Sequence, residues 1–100
     1  MKVLESGQYR KWKAHLRDAR IVHRINARIR SIVNAERIVG DYKSLGGGVF
    51  ELRFDMGPGY RVYVALEDGG ELLLLLAGGD KSRQQKDIAS ARKILNDWRG

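Results

Sequence analysis

Three hydrophobic patterns along the 100 residues predict an α+β domain. It has an N-terminal helix pair and a C-terminal helix packed on a mostly antiparallel sheet of four or five strands. Apolar residues recur at helical spacing from Tyr9 to Val33, alternate strictly from Phe50 to Val64, and run unbroken through Leu72–Leu76.

In chain order, Val3 and Leu4 suggest a short first strand. Tyr9, Trp12, Leu16 and Ala19, followed by Ile21, Val22, Ile25, Ile29, Ile32 and Val33, form a helical stripe. One helix through residue 37 would exceed the usual globular length. Asp18 suits an N-cap, so the stripe predicts an antiparallel pair at about 7–17 and 19–37. Gly40-Asp41 closes the helical region, and Asp41–Leu45 predicts a further short strand. Gly46-Gly47-Gly48 is a turn and not a phosphate loop, since no Gly-Lys-Ser/Thr follows it and no helix starts there.

The segment 48–64 then predicts two strands joined by Gly57-Pro58-Gly59. Alternation puts Phe50, Leu52 and Phe54 on one face with Tyr60, Val62 and Val64. Glu51, Arg53, Arg61 and Tyr63 share the other. A second turn at Glu67–Gly70 leads to the leucine run, whose lack of alternation predicts a central strand covered on both faces. Gly78-Gly79-Asp80 opens the last helix, with Asp80 as its cap and Ile88, Ala91, Ile94/Leu95 and Trp98 as its apolar stripe. Trp12 and Trp98 read as packing residues, Tyr60 as core.

Charge is distributed unevenly. Residues 1–43 carry a net +7 and residues 81–100 a net +4, whereas residues 44–80 carry −4 and hold only two cations, Arg53 and Arg61. Both fall on the same predicted face beside the same turn. The net charge of +7 implies a polyanionic partner, nucleic acid before anionic membrane. With 43% hydrophobic residues the chain has material for one core, and a single domain over 1–100 is expected. Absence of cysteine excludes disulfides and thiolate metal sites, and with no apolar run of membrane-spanning or signal length the expectation is a cytoplasmic protein. His15 and His23 lie apart in the helix pair as surface or capping residues. No Ser-His-Asp or Cys-His constellation and no metal-ligand spacing is present, so no metal and no cofactor are expected.

The chain resembles the RelE/ParE superfamily of toxins from bacterial toxin–antitoxin modules, and looks closest to the HigB-like branch often labelled "addiction module killer protein". The resemblance spans nearly all of the chain. It rests on Tyr9, Trp12 and Leu16; on Arg24-Ile25 and Arg28-Ile29; and on Gly40-Asp41-Tyr42-Lys43. Beyond these come Gly48-Val49-Phe50-Glu51-Leu52-Arg53-Phe54, Gly57-Pro58-Gly59-Tyr60-Arg61-Val62-Tyr63 and Leu74-Leu75-Leu76-Ala77-Gly78-Gly79-Asp80-Lys81-Ser82.

That resemblance implies a RelE-like fold and a toxin neutralised by a cognate antitoxin, here a helix-turn-helix HigA-like protein. RelE-like members cleave messenger RNA in the ribosomal A site with a cluster of lysines and arginines. Arg53, Arg61, Lys81 and Lys43 match positions of that cluster. Glu51 departs from it, standing where some relatives carry a base, and no tyrosine or histidine follows position 63.

The residues suit metal-free cleavage, in which the RNA's own 2′-hydroxyl attacks and the protein orients and neutralises the phosphate. Arg61, with Arg53 beside it, offers the planar fork that grips phosphate oxygens. Glu51 is the candidate general base and Lys81 the donor to the leaving oxygen. Lys43 and Arg83 would hold RNA backbone, and Tyr63 would stack on a base. The bland alternative makes Glu51, Arg53 and Arg61 cross-strand ion pairs on a wet face. Two other functions share the resemblance: a non-catalytic ParE-like toxin that binds DNA gyrase, and a degenerate module kept only as its antitoxin's DNA-binding partner.

Overall fold

The computed structural model describes residues 1–100. Helix α1 (Gly7–Ala14) starts where the Ser6 hydroxyl accepts from the Tyr9 amide at 2.9 Å. Helix α2 (Ala19–Ala35) starts where Asp18 accepts from the Arg20 amide at 2.9 Å. The break therefore falls at the expected cap. Helix α1 stops short of residue 17 because the His15 and Leu16 amides turn to the nearer carbonyls of Trp12 and Lys13, tightening the last turn. Helix α2 stops at Ala35 because Glu36 takes a left-handed conformation, φ 56°.

The strands are β1 (Lys2–Glu5), β2 (Tyr42–Gly46), β3 (Val49–Phe54), β4 (Tyr60–Glu67) and β5 (Leu72–Asp80). They form one sheet in the order β1-β5-β4-β3-β2, with β1 parallel to β5 and every other pair antiparallel. A 3₁₀ turn at Lys81–Arg83, capped by Asp80, leads into α3 (Gln84–Arg99).

Strand β5 explains the leucine run. Leu73 and Leu75 pack with Tyr9, Ile21, Ile25, Ile32, Leu52 and Val62 beneath α1 and α2. Leu72, Leu74 and Leu76 pack with Val49, Ala65, Ala91 and Leu95 beneath α3. Helices thus cover both faces of the central strand, as the unbroken pattern requires. The strand also runs further than expected: Gly78 and Gly79 belong to it and do not open the helix. A side chain at Gly78 would strike the Trp12 ring and one at Gly79 the Asp87 carboxylate, so these bare positions let α1 and α3 close on opposite faces.

Three arginines tie the elements together through backbone carbonyls. Arg28 donates to the Asp41 and Arg53 carbonyls at 3.1 and 3.2 Å and lies 4.6 Å above the Phe54 ring. Arg92 donates to the Leu45 and Gly46 carbonyls at 2.8 and 3.0 Å, and Arg99 to the Gly47 carbonyl at 3.2 Å. The expected stripe of α3 packs on the sheet through Ala91 and Leu95, with Ile88 and Ile94 against the same cluster. Asp87, Ala91 and Leu95 face inward, and Trp98, expected to pack, is 49% exposed. No helix is long and apolar enough to cross a membrane.

Candidate active site

Strand register assembles the site. Arg53 of β3 lies directly opposite Arg61 of β4, and Glu51 lies between Tyr63 on one side and Lys43 of β2 on the other. Directly opposed residues share a face, so these side chains converge on the α3 side of the sheet. Two opposed guanidinium groups would repel, and Glu51 relieves this. Its Oε1 is 3.0 Å from Arg53 Nε and 3.8 Å from Arg61 Nε, and its Oε2 accepts from Gln84 Nε2 at 2.6 Å.

The Glu51 side chain has no exposed surface. Burial alone would raise its pKa. Hydrogen bonds from Gln84 and Arg53, with the charges of Arg53 and Arg61, outweigh burial and hold the carboxyl below its usual range. A sealed carboxylate with a depressed pKa is a poor proton acceptor and cannot reach a 2′-hydroxyl. Glu51 is therefore a clamp for two arginines, which corrects its expected role as general base.

The arginines differ. Arg61 is 14% exposed at its side chain, and its Nη1 donates to the carbonyls of Gly59 (3.2 Å) and Tyr60 (3.1 Å). Its Nη2 has no protein partner. Arg53 is 34% exposed, with both Nη atoms free of protein partners. The Gly-Pro-Gly turn brings Lys81 to the same corner. Gly59, at φ 79°, leaves a space in which a Cβ would lie 3.4 Å from Lys81 Cβ and 3.5 Å from Arg61 Nη1. Lys43, Lys81 and Arg83 are exposed around this corner. Charged donors held in place around an open corner are suited to an oxyanion such as phosphate.

Tyr63 does not take the role expected of it. Its side chain is fully buried in the core beneath α3, and its hydroxyl has no hydrogen-bond partner. Burial, with the nearby charges of Glu51 and Asp87, pushes its pKa well above the ordinary tyrosine value. A residue sealed under a helix cannot stack on a nucleobase. The bulky neighbours on β5 and α3 decide this, since alternation alone puts Tyr63 on the correct face.

Two residues escaped the sequence reading. Gln84 carries no pattern that marks it as the second ligand of Glu51. Asp87 had a signal: it stands four residues before Ala91 and eight before Leu95, so it lies on a buried stripe. It is 5% exposed, its Oδ2 has no partner, and burial raises its pKa.

No protein-family model matches the chain. An uncharacterized protein of Haemophilus influenzae is 44% identical over 86 residues, which is 86% of this chain and 84% of that protein. A double-alanine mutant of the E. coli toxin RelE, in the free state, superposes with a TM-score of 0.75 at 12% identity, covering 92% of this chain and 94% of that chain. A chain of the intact E. coli RelBE toxin–antitoxin complex superposes with a TM-score of 0.67 at 14% identity, covering 79% and 94%. The fold is that of RelE.

Proposed function

This chain belongs to the family of the Haemophilus influenzae protein and carries the RelE fold, and from that premise we propose that it is the toxin of a toxin–antitoxin pair, an endoribonuclease acting on messenger RNA at the ribosome. The observation that carries the reading is the Arg53–Glu51–Arg61 clamp, which presents guanidinium nitrogens beside Lys81 at the end of the sheet. A structural ion pair has no need of a second arginine on the same carboxylate oxygen. Arginines that must meet a phosphate do need to be held at fixed positions.

In this mechanism Arg61 Nη2 and the Arg53 fork bind the non-bridging oxygens of the scissile phosphate. The substrate's 2′-hydroxyl attacks phosphorus and loses its proton to solvent. The P–O5′ bond breaks, and Lys81 gives its proton to the departing 5′-oxygen, leaving a 2′,3′-cyclic phosphate and a 5′-hydroxyl. Negative charge grows on the phosphate oxygens as the new bond forms, and the clamped guanidinium groups stabilise it there. Lys43 and Arg83 bind flanking backbone. The partner is an antitoxin of the HigA-like, helix-turn-helix kind, and this chain groups with the HigB-like toxins.

Arg61→Ala removes the central phosphate ligand. It is expected to cut the cleavage rate by about 10²–10³-fold, the scale for one lost oxyanion ligand. Primer extension on cellular mRNA after brief induction should show cleavage with the wild type and none with the variant. A variant that still arrests growth, with unchanged mRNA and altered DNA supercoiling, would sink the ribonuclease reading. The gyrase-binding alternative is favoured by one observation, that Glu51 neutralises part of the cationic cluster, and this experiment separates the two.

A further inference from the structure

Arg53 stands at the end of β3, where the neighbouring strand β2 runs out. Strand β2 begins at Tyr42, paired with Leu52, so the next antiparallel rung joins Asp41 to Arg53. A hydrogen-bonded rung of this kind exchanges two bonds, each residue donating its amide to the other's carbonyl. Here only one forms. The Arg53 amide donates to the Asp41 carbonyl at 2.9 Å, and the Asp41 amide makes no return bond. The Arg53 carbonyl is met instead by Arg28 of α2. Nη2 of Arg28 donates to it at 3.2 Å, while Nη1 donates to the Asp41 carbonyl at 3.1 Å.

Arg28 is itself held firmly. Helix α2 is anchored by the fully buried Ile25 and Ile32 on either side of it in sequence. The Arg28 guanidinium lies 4.6 Å above the Phe54 ring and fills the space that a Cβ at Gly40 would occupy, 2.6 Å from Nε. Gly40 takes φ 87°, so this close approach and the left-handed turn both require glycine. One planar fork thereby supplies the missing half of the rung and grips both of its carbonyls, which a point-like ammonium cannot do. What hangs from that rung gives it a use. Past Phe54 the chain leaves the sheet for the turn at 56–59, and strand ends are where local opening starts. The Arg53 guanidinium is fastened through Nε alone, so its backbone must fix the rest of its placement.

We infer that Arg28 is a positioning residue for the phosphate site. By completing the last β2–β3 rung from the α2 side, it holds the Arg53 backbone, and so the fork that meets phosphate on the opposite face. The inference rests on the ribonuclease reading. Arg28 touches no substrate in this role: it lies over Phe54, and alternation puts the Arg53 side chain on the other side of the sheet. Its action passes through Arg53 alone.

The test is a double-mutant cycle in mRNA cleavage, followed by timed primer extension with purified protein on programmed ribosomes. Arg28→Met keeps an apolar stem over Phe54 and loses both donors. It should slow cleavage by about 10–100-fold, the scale for a misplaced catalytic group. In the Arg53→Ala protein the same substitution should slow cleavage by no more than about twofold further, since the fork it positions is gone. No loss in the wild-type background, or equal losses in both, overturns the inference. Arg28→Lys should recover only part of the rate, and it takes the place of Arg28→Met in the cycle if the methionine variant does not fold. A second readout needs no activity. In proton–nitrogen NMR spectra of the Arg28 variant, solvent exchange at Arg53 Nε–H should quicken several-fold, while Arg99 Nε–H, bound to Glu67, stays as in the wild type. An unchanged Arg53 signal overturns the inference. A wild-type protein that leaves mRNA uncut, in which Arg28→Met still frees Arg53, would sink the ribonuclease reading alone.

Discussion

The two faces of the sheet come from the same strands and are held by different forces. On the α1/α2 face, Phe54, Val62, Val64 and Leu75 meet isoleucines, and the stabilisation is apolar area removed from water. On the α3 face, apolar packing ends beyond Tyr63, and a buried carboxylate with two arginines takes its place. Burying those charges costs desolvation that their mutual attraction offsets only in part. The first face is built for stability. The second gives up some stability to hold charged groups still, as binding and catalytic sites do.

The arginines show the same division. Arg28 and Arg92 direct their donors to backbone carbonyls between elements, Arg99 divides its donors between the Glu67 carboxylate and the Gly47 carbonyl, and all three act as rivets. Arg53 is fastened through Nε alone, so its outer nitrogens remain for a ligand.

The largest expected effect breaks the comparison at its charged pole. Glu51→Ala leaves Arg61 partly buried without its counter-ion and should destabilise the fold by about 3–5 kcal/mol in urea titration. That matches or exceeds Leu75→Ala on the apolar face, at about 2–5 kcal/mol. Replacing the trio together, Glu51→Leu with Arg53→Met and Arg61→Met, should be neutral or stabilising by about 1–4 kcal/mol while abolishing activity. Stability and function would then separate on one face only.

A smaller effect concerns pH, where Glu51 and Asp87 oppose each other. The folded state holds the Glu51 pKa below its unfolded value. Its contribution is therefore complete above the ordinary carboxylate range and is lost as pH falls through the depressed value. The Asp87 pKa is raised, so its protonated form favours folding, and that favour is lost as pH rises through the raised value. Asp87→Asn should consequently raise stability at neutral pH by about 1 kcal/mol and give no gain in acid, measured by melting across pH. The smallest effect lies outside both faces. Glu36→Gly, at φ 56°, relieves left-handed strain and should add up to about 1 kcal/mol.

Local rules made much of the fold legible before any coordinates. Asp18 divides the first helical stripe because a short acceptor satisfies an orphan amide wherever a helix begins. Strict alternation placed Glu51, Arg53, Arg61 and Tyr63 on one face because pleating has a period of two. The five leucines announced a strand covered on both sides. These signals lie within a few residues of one another along the chain, so the residues themselves determined them.

Tertiary packing alone decided how deep each of those side chains lies. Tyr63 and Arg61 share a face and a strand, yet α3 seals the first and stops short of the second. Gln84 reaches Glu51 across 33 positions of chain, turning an expected base into a clamp. Burial and long-range donors set the chemistry of an ionisable group, and both depend on which helix end arrives above it. That arrival is a property of the assembled molecule, and no local spacing encodes it.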